Sequence, residues 1–232
     1  MADRGIVLAA DVTSLEELRG LVALAASHEQ VVGVKVGATL ALRHGLPAVI
    51  AEIRGAGSLW AIYDHQKAGS DIPDLGMPFC RACAEAGADA VIIFPHAGPR
   101  TLKAFVSAAQ ALQLRPIVGL AMTHPAYFVS EGGYMADESA KEACSLAVEM
   151  GVREFVVPGT KPALLEALIA GPLALVDRPS LFMPGFGRQG GTIRAIGAMT
   201  RRMNFFPIVG SAVYAASDPG NALAALIREL ET

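Results

Sequence analysis

What this chain has little of removes several classes of protein at once. It has three cysteines, Cys80, Cys83 and Cys144, too few and too unevenly placed for a disulfide framework. Cys80 and Cys83 form a C-x-x-C, but no second pair exists to complete four metal ligands, and the pair falls in an alanine-bearing helical stretch. Buried structural thiols are therefore expected. No run of lysine or arginine is present and the formal net charge is -3, which gives neither a local nor a global field for nucleic acid. The apolar runs are punctuated by Gly, Pro or charge and stay well below the ~18 residues of a membrane span, so no membrane partner is expected. Residues Met1 to Gly5 lead straight into a strand-like segment without the pattern of a secretory signal, and the expectation is a cytoplasmic enzyme.

What is present is apolar substance and a repeating order. Hydrophobic residues make up 53% of 232, enough for one large core, and a single domain over residues 1–232 is expected. Gly5 to Ala10 reads as a strand ending at Asp11, and Ser14 with Glu17 has capping-box spacing ahead of a helix to Ala26. Val31 to Val36 carries Lys35 near its end, before helical material from Thr39 to Arg54 interrupted around Gly45 and Pro47. Leu59 to Tyr63 is followed by Asp64-His65-Gln66-Lys67-Ala68-Gly69-Ser70-Asp71-Ile72-Pro73 and a helix from about Asp74 to Ala86. Ala90 to Phe94 precedes a helix from Pro99 to Leu112, with Pro99 suited to the first turn.

Pro116 to Ala121 ends at Met122-Thr123-His124-Pro125, and the long segment Ala126 to Asp137 reads as a lid or substrate-covering loop before the helix Glu138 to Met150. Glu154 to Val157 leads to a helix over Ala163 to Ile169. Ser180 to Met183 ends at Pro184-Gly185-Phe186-Gly187-Arg188-Gln189-Gly190-Gly191, Phe205 to Val209 ends at Gly210-Ser211, and the last helix spans Asp218 to Leu230. Eight β/α units with strand ends about 24 to 36 residues apart match an α/β protein of the closed (β/α)₈ TIM-barrel type. A doubly wound open sheet fits less well, because no G-x-G-x-x-G follows the first strand.

A barrel gathers all strand ends on one face, so Asp11, Lys35, Asp64, Lys67, Asp71 and Thr123 are expected around one pocket. The glycine-bearing ends of the seventh and eighth strands fall where barrels bind phosphate. Gly185 to Gly191 can turn successive N–H groups toward an anion, with Arg188 or Gln189 adding side-chain donors. A phosphorylated small molecule is implied.

In order along the chain, Leu-Ala-Ala-Asp11, Val-Lys35-Val-Gly, Asp64 to Pro73, Met-Thr123-His-Pro, Pro-Gly-Thr-Lys-Pro, Met-Pro-Gly-Phe-Gly-Arg-Gln-Gly-Gly and Ile-Val-Gly-Ser-Ala-Val-Tyr lie on successive strand ends. This set resembles the orotidine 5'-phosphate decarboxylase family of phosphate-binding barrels. The resemblance implies that Lys35, Asp64 and Lys67 form an alternating charged array, with Lys67 as the acid that protonates the ring carbon after carbon dioxide leaves. It implies that Asp71 reaches into a neighbouring subunit's site, which makes a homodimer part of catalysis. By the same resemblance Asp11 meets the ribose, Thr123 the pyrimidine, and Gln189 with nearby backbone the phosphate. The substrate-binding set so implied is Asp11, Ile72, Thr123, Pro184, Gly185, Arg188, Gln189, Gly190, Gly210 and Ser211. No metal or organic cofactor is implied.

The chain differs from the family pattern in three places. Asp64-x-x-Lys67-x-x-x-Asp71 is one residue longer in each half than Asp-x-Lys-x-x-Asp, Ser211 stands where an arginine is usual, and Leu75 where many members have threonine. These differences keep open a related enzyme on a phosphorylated sugar, with His65, His96 and His124 together with Asp11 and Asp64 as candidate metal ligands, and a catalytically silent binder of a phosphorylated ligand.

Overall fold

Short runs of Val, Ile and Ala bounded by turn residues are suited to strands buried on both faces, as parallel strands under helices are. A computed structural model of the chain describes residues 3–65, 70–186 and 192–231. Eight parallel strands, β1 (Ile6–Ala10), β2 (Val31–Gly37), β3 (Trp60–Asp64), β4 (Ala90–Ile93), β5 (Arg115–Gly119), β6 (Glu154–Val156), β7 (Ser180–Pro184) and β8 (Asn204–Val209), pair in chain order and close into a barrel, β8 against β1. The open-sheet alternative is thereby excluded.

Around the strands lie α1 (Leu15–Ala26), α2 (Ala38–His44), α3 (Leu46–Arg54), α4 (Gly76–Glu85), α5 (Pro99–Ala111), α6 (Ser139–Glu149), α7 (Pro162–Ala170), α8 (Ile193–Met199), α9 (Ser211–Tyr214) and α10 (Pro219–Glu231). The capping box forms as the spacing requires. The Glu17 N–H donates to Ser14 Oγ at 3.2 Å and the Ser14 N–H to Glu17 Oε2 at 3.1 Å, a cap worth about 1 kcal/mol. The interruption expected at Gly45 is a true break. Gly45 has φ +79°, a conformation that favours glycine, and separates α2 from α3. Two helices were not expected from the sequence, α8 and α9; at seven and four residues both are too short to show a hydrophobic period.

Alternation along each strand sorts the side chains into two cores. Ile6 and Leu8 face the helices with Val34, Val36, Phe105, Phe155 and Phe205. Val7 and Ala9 face the barrel axis with Ile62, Ile92, Phe94, Ile117, Phe182, Phe206 and Ile208. Lys35 has the parity of Gly33, opposite to Val34 and Val36, and it pairs with Ala9 of β1 and Ile62 of β3. The single lysine of β2 is thus the side chain sent inward. The thiols behave as expected of small hydrophobes. Cys80, Cys83 and Cys144 are free and buried, and burial pushes them up to about 11, about 12 and about 12.

The long segment after β5 folds on itself. The Val129 N–H donates to Met135 O at 2.8 Å, and the Met135 N–H to Tyr127 O at 3.1 Å. Its Glu131 carboxylate pairs with Lys161, whose ammonium also lies 5.3 Å from the Phe128 ring centroid. Among the described residues no helix is long and apolar enough to cross a membrane.

Candidate active site

Three charged side chains of inward parity meet at the C-terminal mouth. The Lys35 ammonium lies 3.2 Å from Asp11 Oδ1 and 3.2 Å from Asp64 Oδ2. Lys35 is 8% and Asp64 5% exposed, so the central pair is taken out of water while Asp11 faces the opening. Burial acts to strip the proton from Lys35; the attraction of Asp64 and then of Asp11 outweighs it and holds the pKa above the ordinary lysine value. The ammonium is therefore charged throughout the neutral range. One ammonium and two carboxylates leave one negative charge in excess among the described residues, at a place where the low dielectric makes charge count.

Room for this cluster is made by glycine. At Gly37, the last residue of β2, a Cβ would stand 3.3 Å from Asp11 Oδ1. A cavity of about 320 Å³ opens beside the three charges, within the range of small-ligand sites. Its wall includes Asp11, Lys35, Asp64, Thr123, Pro184, Gly185, Gly210 and Ser211. Eight of the expected residues, from six strand ends, are thus brought together. Gly185 has φ +107° and lets the chain turn sharply over the mouth after β7. At the end of the adjacent strand β8, Gly210 packs against Tyr214, where a Cβ would come within 3.4 Å of the ring.

The remaining expected residues fall into two groups. Lys67, Arg188, Gln189 and Gly190 lie outside the described residues. Asp71 and Ile72 do not line the cavity and are exposed, Ile72 by 59%. Asp71 Oδ1 accepts from the Ile72 N–H at 2.8 Å, and its main-chain carbonyl accepts from Thr101 Oγ1 at 2.9 Å.

The floor of the cavity was not foreseen. Ala9, Ile92, Phe94, Met122, Val156, Phe186, Ile208 and Tyr214 line it. Strand parity carried the signal for Phe94, which continues the inward series Ala90, Ile92, whereas Tyr214 depends on α9, too short to be read. The three histidines do not converge. His65 Nδ1 pairs with the Tyr63 hydroxyl, His96 Nε2 with the Tyr127 hydroxyl at 3.0 Å, and His124 Nδ1 lies 2.9 Å from Pro125 O. Among the described residues no group of three or more His, Cys, Asp or Glu stands where it could hold a metal ion.

Comparison with known proteins gives a consistent result. The family model for "Orotidine 5'-phosphate decarboxylase / HUMPS family" matches residues 4–226. A protein of Methanosarcina mazei named orotidine 5'-phosphate decarboxylase is 32% identical over 229 residues, covering 97% of this chain and 94% of that relative. The crystal structure of orotidine 5'-monophosphate decarboxylase from Methanocaldococcus jannaschii complexed with inhibitor BMP superposes with a TM-score of 0.85 at 25% identity, over 99% of each chain. The crystal structure of orotidine 5'-phosphate decarboxylase from Pyrococcus horikoshii OT3 gives 0.78 at 25% identity, over 98% of this chain and 99% of that one.

Proposed function

Since the chain belongs to the orotidine 5'-phosphate decarboxylase / HUMPS family, we propose that it is a carboxy-lyase converting orotidine 5'-phosphate to uridine 5'-phosphate and carbon dioxide, as its relatives' names state of them. The observation that carries this reading is the ammonium of Lys35 held between Asp11 and Asp64 at the edge of the cavity. In this reaction the bond from ring carbon to carboxylate breaks, carbon dioxide departs, and the electron pair stays on the ring carbon as a poorly delocalised carbanion. A fixed cation beside that carbon lowers the barrier, and a proton then replaces the carboxylate.

Lys67 is the proton donor in this proposal, three residues beyond Asp64 in sequence. Asp11 meets the ribose, Thr123 the pyrimidine, and the backbone from Gly185 onward, with Arg188, Gln189, Gly190, Gly210 and Ser211, the phosphate. Binding that remote phosphate supplies energy used at the reacting centre. The chemistry calls on no metal or organic cofactor, and the product places the enzyme in pyrimidine synthesis.

The exposure of Asp71 and Ile72 fits a homodimer in which one subunit's segment completes its neighbour's site. Leu75 and Met77 of the same stretch are also exposed, at 42% and 39%, and apolar side chains gathered at a surface are what an isologous interface covers. The test is loss of orotidine 5'-phosphate absorbance with chelator-treated protein. Absence of turnover at high enzyme concentration sinks the decarboxylase, and turnover of a phosphorylated sugar only after divalent metal is restored would replace it. Mixing inactive Lys67→Ala and Asp71→Ala proteins should restore activity through hybrid dimers; failure to complement would place each site within one chain.

A further inference from the structure

His96 stands on the same face as the proposed chemistry and takes no part in it. It follows β4 by three residues, and each ring nitrogen has a partner from a different loop. Nε2 lies 3.0 Å from the Tyr127 hydroxyl and Nδ1 3.4 Å from the Ser70 hydroxyl. Tyr127 belongs to the β5–α6 segment, four residues beyond Thr123; Ser70 lies between Lys67 and Asp71 in the β3–α4 segment. The next residue, Asp71, gives its carbonyl to Thr101 Oγ1 of α5, a side chain buried to 2% exposure. The β4–α5 unit therefore grips the β3–α4 segment at two successive residues while its histidine reaches the loop of Thr123.

A neutral imidazole suits this position. It donates from one nitrogen and accepts at the other, so a hydroxyl–imidazole–hydroxyl string is satisfied in a single direction. Burial lowers the pKa of His96 and pushes the Tyr127 hydroxyl up to about 12, so both are uncharged at neutral pH. The rings of Phe94 and Tyr127, with centroids 5.5 Å and 6.0 Å from that of His96, hold the imidazole in place.

The geometry points to His96 as a positioning residue that couples the loop of Thr123 to the segment containing Lys67 and Asp71. Seating of the base and placement of the lent carboxylate are then linked through one imidazole. The effect on rate rests on the decarboxylase reading; the mechanical coupling does not.

The two amide isosteres separate the two arms, because the Asn amide nitrogen takes the place of Nδ1 and that of Gln the place of Nε2. His96→Gln keeps the Tyr127 contact and loses Ser70, and its kcat should fall about tenfold, the worth of one neutral hydrogen bond, with KM held. His96→Asn keeps Ser70 and loses Tyr127, and should raise KM with kcat within about threefold of wild type, again on the scale of one such bond. Equal changes in the two variants, or none, would overturn the proposal, since a histidine that only fills space predicts no such split. Amide hydrogen exchange supplies an arm independent of activity and of those variants' folding. Tyr127→Phe should speed exchange at residues 70–76, and exchange there unchanged from wild type would reject the coupling. A wild-type protein that does not turn over orotidine 5'-phosphate removes the decarboxylase reading and leaves the exchange arm to decide the coupling.

Discussion

At the N-terminal mouth of the barrel, the Arg115 guanidinium meets Glu154 through Nη2 at 2.7 Å and Nε at 3.1 Å and lies 4.4 Å from the Trp60 ring centroid. Trp60 in turn sets its edge on Phe206 at 5.3 Å, and Phe206 stacks on Phe182 at 4.9 Å. At the C-terminal mouth, Lys35 sits between two carboxylates, and glycines with Phe94, Phe186 and Tyr214 line a cavity beside it. Both ends hold partly or wholly buried ion pairs, and the difference lies in what surrounds them. At the first, a planar guanidinium is stacked and satisfied, which closes the barrel. At the second, a buried point charge is held between two carboxylates beside a cavity, an arrangement that costs stability and is characteristic of functional sites.

Substitutions should divide along that line. The largest effect expected is on activity at the upper end. Lys35→Ala should lower kcat by about a thousandfold or more, the scale of one preorganised electrostatic group, and steady-state decarboxylation compared with Lys35→Arg would show whether any cation suffices. The lower end should answer in stability. Phe206→Ala should cost about 3–5 kcal/mol by urea unfolding, and Arg115→Ala about 1–3 kcal/mol because its pair is only partly buried. Turnover per folded molecule should stay within a few-fold of wild type in both, and a large loss of kcat in Arg115→Ala would break the division between closing end and reacting end.

A smaller change is expected at the rim, where Thr123→Val should raise KM by about tenfold, the worth of one hydrogen bond, with little change in kcat. The smallest effects concern the thiols outside the barrel. Cys83 and Cys144 keep their protons up to about 12 in the fold, against 9.0 for a thiol in water. Their contribution to stability is fully present below pH 9 and is lost as pH rises toward 12. Native protein at pH 8 should therefore resist iodoacetamide while urea-unfolded protein reacts at once, and fast native alkylation would contradict their burial.

Most of the barrel was legible because a parallel strand under helices announces itself by composition alone. Val31 to Val36 and Ala90 to Phe94 have no other use for so many consecutive apolar residues. The cap at Ser14 and the break at Gly45 are local events, fixed by residues within a few positions, and they form as their types require. The helices α8 and α9 were not legible, since seven and four residues hold too little pattern, and with α9 went Tyr214.

The sequence by itself determined that charged residues would stand at strand ends, because alternation and the hydrophobic runs leave Asp11, Lys35 and Asp64 nowhere else to fall. Only the tertiary structure decided that Lys35 lies 3.2 Å from both carboxylates, that Asp71 and Ile72 turn away from their own cavity, and that His96 reaches two other loops. Strand identity depends on neighbours along the chain. Barrel closure and strand stagger depend on all eight units together, and they set which strand ends meet at the mouth.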